Sequence, residues 1–104
     1  GYIALTDSAP LIIAREKGFF ARHGMTEVDV SKQASWGATR DNLVLGGERG
    51  GIDGAHLLTP MAYLIHTGRI VQNSQPVPMG LVARLNTNGQ AISIAAKHAA
   101  LGVK

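Results

Sequence analysis

The sequence has no cysteine among its 104 residues, which excludes disulfides, thiolate metal sites and cysteine nucleophiles at once. Aromatic side chains make up only 5% of it and include a single tryptophan, Trp36. A basic face interleaved with stacking rings, the usual footprint of nucleic-acid binding, is therefore not available, and no nucleic-acid partner is expected. No apolar run approaches the roughly 20 residues that a membrane span needs. No secretory leader is visible in a sequence that opens directly on strand-like residues, Gly1-Tyr2-Ile3-Ala4-Leu5, an opening that suggests the natural start has been removed. No histidine pair has the H-x3-H spacing of a zinc site, so no metal is expected, and nothing in the sequence requires a cofactor.

What is present fits a globular domain. Hydrophobic residues are 45% and charged residues 16% of the chain, far from the composition of disorder. Ten Lys and Arg against seven Asp and Glu give a net charge of +3. These charges are scattered, so the excess says little about partners. The length suits one compact domain, able to fold alone with little margin. The opening on Gly1 and the unpunctuated finish at Ala99-Ala100-Leu101-Gly102-Val103-Lys104 suggest a fragment, read as one partial domain over 1–104.

Patterning alternates between strand and helix. An apolar run at 2–5 ends in the cap-like cluster Thr6-Asp7-Ser8, and Pro10 opens a helix expected over 10–21, weakened at Gly18. Residues 27–31 alternate with period two, as a half-buried strand does. Ser35 is placed to cap a helix running to about Leu45, ended by Gly46-Gly47. A short strand is expected at 51–55. Thr59 as N-cap and Pro60 at the first position open a third helix, which Gly68 closes. A buried strand at 79–83, a turn at 86–90, another short strand at 91–94 and a helix from about Ala95 complete the reading. This order predicts an α/β fold with a mainly parallel sheet flanked by helices. In such sheets ligands bind beyond the carboxyl ends of the strands.

Three strand-to-helix junctions lie at that edge: Thr6-Asp7-Ser8-Ala9, Gln33-Ala34-Ser35-Trp36-Gly37 and Asp53-Gly54-Ala55-His56. Each is rich in small residues where a helix is expected to begin, and helix N-termini present free N–H groups and partial positive charge. Ordinary capping explains any one of them; three together suggest a pocket for a small anion. Ser8, Trp36 and His56 are the candidate ligand-binding residues. The Trp36 ring N–H is donor-only, which suits an oxyanion, although a lone tryptophan is as readily a packing residue. His23, His66 and His98 read as surface or partly buried positions. Asp7 and Asp53 each follow a strand, where caps and braces are much commoner than general bases. Gly46-Gly47 and Gly50-Gly51 lack the remainder of a phosphate loop. No catalytic constellation is visible, and the chain is not read as an enzyme.

Several phrases also carry a family resemblance. Ile3-Ala4-Leu5-Thr6-Asp7-Ser8-Ala9-Pro10, Ala14-Arg15-Glu16-Lys17-Gly18-Phe19-Phe20 and Gly24-Met25 resemble the opening of solute-binding proteins for nitrate and bicarbonate. The runs QASWGATRDN (33–42) and GGIDGAHLLTPM (50–61) are more distinctive, and the likeness continues through Pro76-Val77-Pro78-Met79 and Gly89-Gln90. The resemblance implies part of the N-terminal lobe of a two-lobed, type II periplasmic-binding fold. It implies a receptor that hands nitrate, nitrite or bicarbonate to the membrane subunits of an ABC transporter. The location implied is periplasmic, or on the outer face of the inner membrane. It also implies that Trp36 and Gln90 lie near the bound anion. The wording GGIDGAH favours nitrate over bicarbonate. A cytoplasmic nitrate sensor of the same fold, acting on a partner protein, is the alternative.

Overall fold

In the computed structural model, residues 1–89 and 95–102 are described, apart from the side chain of Ala99. A 3-10 turn at Thr6–Ser8 runs directly into α1 (Ala9–Glu16), and α2 (Phe19–Arg22) follows after Gly18. α3 spans Trp36–Leu45, α4 spans Thr59–His66 and α5 spans Ala96–Ala100. None of these helices is long and apolar enough to cross a membrane.

The helices form largely where local chemistry asks for them. Ser35 caps α3 through its Oγ, which accepts the Ala38 N–H at 3.1 Å. The break between α1 and α2 falls at Gly18, whose φ of +67° ends the first helix and begins the second. Thr59 lies inside α4 and does not cap it; Leu58 is the N-cap and makes no side-chain cap bond, while Pro60 sits in the first turn as expected. The Thr6-Asp7-Ser8 cluster does not cap α1 from an extended position either. Ser8 already has helical backbone angles, and its hydroxyl donates to the Leu5 carbonyl at 2.7 Å, closing the 3-10 turn.

The sheet is a rudiment. Gly1 and Tyr2 lie between two other segments and bond to both. On one side the Tyr2 N–H donates to Ser31 O (3.0 Å) and the Gln33 N–H to Tyr2 O (2.8 Å), a parallel bridge between Tyr2 and Lys32. On the other side the Gly1 nitrogen donates to Gly54 O (2.8 Å) and the His56 N–H to Gly1 O (2.9 Å), again the parallel pattern. The spatial order is therefore 31–33, 1–2, 54–56. Pairing is displaced toward the ends of the expected strands at 27–31 and 51–55, and it covers only the first residues of the run at 2–5.

The expected buried strand at 79–83 is exposed. Leu81 retains 72% and Val82 100% of its accessible surface, and the segment pairs with no neighbour among the described residues. Strand-forming side chains supply a preference but not a partner, and without a partner the apolar run stays in solvent. It is held at its beginning: the Val77 N–H donates to Ile65 O (3.2 Å) and the Met79 N–H to His66 Nδ1 (3.1 Å). The expected strand at 91–94 lies outside the described residues.

Burial is correspondingly thin. Ala62 and Ile65 are the buried apolar side chains of the described residues, with Ser8, Gln33, Thr39 and His56 as buried polar ones. The accessible surface is 8088 Å², against about 5,600 Å² for a free-standing monomer of this mass. The radius of gyration is 16.8 Å, where a compact chain of this length has about 13 Å. The length alone suggested a domain that folds with a small margin; the surface is that of a portion of a larger folded body.

Gly68 closes α4 with φ +68°, its N–H donating to Ile65 O (3.1 Å) and that of Arg69 to Leu64 O (2.8 Å). A Cβ there would also lie 2.8 Å from the Pro76 nitrogen and 2.9 Å from Ser74 O, whereas the left-handed Gly24 at the end of α2 has open space around it. Gly68→Ala in the full-length protein is expected to cost about 2–3 kcal/mol and Gly24→Ala about 1 kcal/mol, the difference being the steric part. Urea unfolding midpoints check the order.

Candidate functional site

The central Gly1–Tyr2 pairing sets the ends of all three segments at one edge. From the first segment comes Asp7, in the 3-10 turn. From the second comes Trp36, the first residue of α3 behind its Ser35 cap. From the third comes His56, which stands two residues past Gly54, the Gly1 partner.

These three side chains meet. The Trp36 and His56 rings lie 5.7 Å apart between centroids and are tilted by 57°, within the range of favourable aromatic pairs. His56 Nε2 is 3.2 Å from Asp7 Oδ1. His56 is buried, with 4% of its surface accessible, while Trp36 and Asp7 are half-buried. The His56–Asp7 approach is an ion-pair distance without hydrogen-bond alignment, and Asp7 Oδ1 and His56 Nδ1 are buried with no hydrogen-bond partner among the described residues. Such groups are uncommon in folded proteins.

The start of α3 adds donors. Its third amide, that of Ala38, is taken by Ser35 Oγ, and the fourth, that of Thr39, by Ser35 O at 2.9 Å. The N–H groups of Trp36 and Gly37 have no acceptor among the described residues, as the first turn of a helix dictates. Thr39, fully buried, returns its hydroxyl to Ser35 O at 2.9 Å and pins the turn from within. Behind it, Gln33 accepts from Asn42 Nδ2 (2.8 Å), so the segment entering α3 is tied to the helix itself.

Of the residues singled out in the sequence, Trp36 and His56 are in contact. Ser8 is adjacent in the chain to Asp7, but its own hydroxyl is engaged with Leu5 O. Gln90 lies outside the described residues. The third junction differs from expectation: α4 begins at Thr59, beyond His56, so that junction contributes a side chain and no helix start. Asp53 is a brace, its Oδ1 accepting the Gly47 N–H at 3.2 Å. His23 and His98 are exposed, and His66 is exposed while its Nδ1 holds the Met79 amide.

Two residues were missed by sequence reasoning. Asp7 was weighed only as a base or a brace, and its approach to His56 links positions with no local relation. Asn86 stood in a turn cluster; its Nδ2 donates to Asp7 Oδ2 at 3.0 Å across 79 residues of chain. Nothing near Asn86 in the sequence signals that reach.

Two open hollows lie on a different face, against α1 and α2. One of about 120 Å³ is lined by Tyr2, Ile12, Arg15, Glu16 and Val30, and one of about 270 Å³ includes Gly18, Phe20, Met25 and Val28. Neither touches Trp36 or His56. Among the described residues no three His, Asp or Glu side chains gather as metal ligands. The Arg40–Asp41 pair on α3, Nε to Oδ1 at 2.7 Å, is solvent-facing; the hydrogen bond from Arg40 holds the Asp41 carboxyl below its ordinary range.

Parallel pairing in the order second, first, third, with polar groups collected beyond one edge, belongs to the class of α/β ligand-binding folds, of which a periplasmic-binding lobe is one. The solved structure of the periplasmic nitrate-binding protein NrtA from Synechocystis PCC 6803 superposes on it with a TM-score of 0.89 and 61% identity, over 99% of this chain and 26% of that one. Residues 1–104 match the NMT1-like family along their whole length, and the chain belongs to that family. It is 65% identical over 94 residues to the nitrate/nitrite binding protein NrtA of Synechocystis sp., covering 90% of this chain and 21% of the relative. It is 53% identical over 106 residues to the bicarbonate-binding protein CmpA of Synechococcus elongatus, covering 100% and 23%. It is 39% identical over 104 residues to the nitrate import ATP-binding protein NrtC of Synechocystis sp., covering 100% and 15%. The chain thus spans under a quarter of the curated relatives' length.

Removing the cap isolates the contribution of Ser35. Ser35→Ala should destabilise the full-length protein by about 1 kcal/mol, and Ser35→Asp should not, since either oxygen accepts at the helix start. Thermal unfolding of the two variants checks this.

Proposed function

We propose that the chain is part of the N-terminal lobe of the solute-binding component of an ABC-type anion importer, a receptor that captures nitrate or nitrite and delivers it to the membrane subunits. The observation that carries this reading is the position of Trp36. It is the first residue of α3, the main-chain N–H groups at its own and the following position have no acceptor among the described residues, and its ring rests on buried His56. Nitrate is a flat anion with three acceptor oxygens and no proton, so a wall of donors recognises it. The indole N–H, the two amides and the positive end of a ten-residue helix form such a wall. The closeness to NrtA over nearly the whole chain supports the same solute.

Capture, closure and release require no bond to be broken, and the site holds no group that must act as acid, base or nucleophile. The large accessible surface fits a lobe that is completed by the rest of a two-lobed protein, which supplies the opposite wall of the cleft. Gln90 is proposed to join Trp36 there, and Ser8 to serve through the shape of its turn. Delivery to a permease places the protein in the periplasm or on the outer face of the inner membrane. A cytoplasmic sensor of the same solute would use the same wall.

One observation favours a second solute. Bicarbonate carries an O–H and needs an acceptor, and His56 Nδ1, on the ring that packs against Trp36, is an acceptor-capable atom without a partner among the described residues. The 53% identity to CmpA agrees with that reading.

Calorimetric titration of the full-length protein with nitrate, nitrite and bicarbonate, with and without calcium, separates the two. Nitrate and nitrite are expected to bind; binding of bicarbonate alone, or only with calcium, overturns the nitrate reading. Trp36→Ala should weaken nitrate binding about tenfold or more with unfolding temperature unchanged within a few degrees, the behaviour of a contact residue that carries binding and not the fold. Unaltered affinity would return Trp36 to a packing role.

A further inference from the structure

We infer that Asn86 is a positioning residue for Trp36, acting through Asp7 and His56, and that this chain of contacts clasps the 77–89 segment to the anion wall. The role of the wall rests on the reading above; the chain of contacts does not.

Four contacts make up the relay. The Asn88 N–H donates to Asn86 Oδ1 at 3.2 Å, which commits that oxygen as acceptor and leaves the amide nitrogen to donate outward. Asn86 Nδ2 donates to Asp7 Oδ2 at 3.0 Å. A hydrogen bond to a carboxylate is stronger than one between neutral groups, and it fixes the plane of a side chain that has only two rotatable bonds. With Oδ2 held, Oδ1 faces His56 Nε2 at 3.2 Å. His56 is enclosed, 3% of its side chain accessible, and cannot swing away without leaving a void. Its ring then sets the tilt of Trp36 at 5.7 Å. Trp36 is half-buried and makes no side-chain hydrogen bond among the described residues, and the imidazole is the ring it packs against.

The clasp also has a mechanical side. The 77–89 segment is secured at its start by Ile65 O and His66 Nδ1, and its apolar middle at Leu81 and Val82 is in solvent. Asn86 makes the next hydrogen bond that ties it to the rest of the described residues.

An exchange of the two partners tests this in the full-length protein. Asn86→Asp sets two carboxylates against each other. Asp7→Asn with Asn86→Asp restores the pair, since the amide of the new Asn donates to the new Asp while its carbonyl still faces His56. The first readout needs no solute: the indole N–H resonance of Trp36 in a 1H–15N spectrum, assigned by its loss in Trp36→Phe. N86D should move the resonance, and the D7N/N86D double variant should return it toward the wild-type position. The second readout is nitrate affinity, expected to fall about tenfold or more in N86D, as for loss of a hydrogen bond to a charged group, and to recover to within about threefold in the double variant. Asn86→Ala, a truncation at an exposed position, gives the same direction if N86D fails to fold. An indole resonance unmoved by N86D and N86A, or moved and not restored by the exchange, overturns the relay. A relay that passes in a protein that binds no nitrate leaves the positioning role standing and removes the nitrate reading instead.

Discussion

Four main-chain hydrogen bonds around Gly1 and Tyr2 organise the rest of the molecule. They are few, yet they fix three segments side by side and in register, with 1–2 in the middle. In a parallel arrangement all three segments run the same way, so whatever follows each of them emerges at a common edge. Asp7, Trp36 and His56 are distant in sequence and meet because of that pairing. Without it the start of α3 would be a capped helix end like any other.

The site that results combines two kinds of polarity. The first turn of α3 offers fixed donors that need no reorganisation, because Ser35 and buried Thr39 hold the turn from both sides. Next to it lies a small group of side chains around buried His56 in which an acid faces an imidazole and the imidazole faces an indole. Buried polar atoms lose much of their solvation, so their partners are chosen by geometry and not by availability. That contrast gives the wall its character: rigid amides on one side, and on the other a side-chain assembly whose arrangement depends on a residue 79 positions away.

The helices were legible because their signals are local. Ser35 before Trp36, Pro60 in a first turn, and glycines at 18 and 68 each act within a few residues, and a helix needs nothing from outside itself to satisfy its backbone. The Thr6-Asp7-Ser8 cluster misled only in detail, since Ser8 folds its hydroxyl back onto Leu5 and winds a 3-10 turn. Strands were less legible. The pattern at 27–31 was right for a half-buried strand, but pairing depends on the neighbour, and the neighbour meets it at 31–33. The apolar composition of the run at 79–83 implied burial, but among the described residues no strand pairs with it to provide that. At the site, the small residues around Ser35 and the placement of Trp36 pointed to the right edge. The Asp7–Asn86 bond had no local signature at all, because both residue types are ordinary in turns.

The spatial order of the three paired segments bears on how the polypeptide assembles. The middle segment precedes both of its neighbours in the chain, so during synthesis it emerges with two bare edges. The first edge closes only after about thirty more residues have been made and the second after more than fifty. Contacts of such long sequence separation form slowly. For that interval the unpaired backbone and the apolar side chains around it are a surface on which a nascent chain can stick to another.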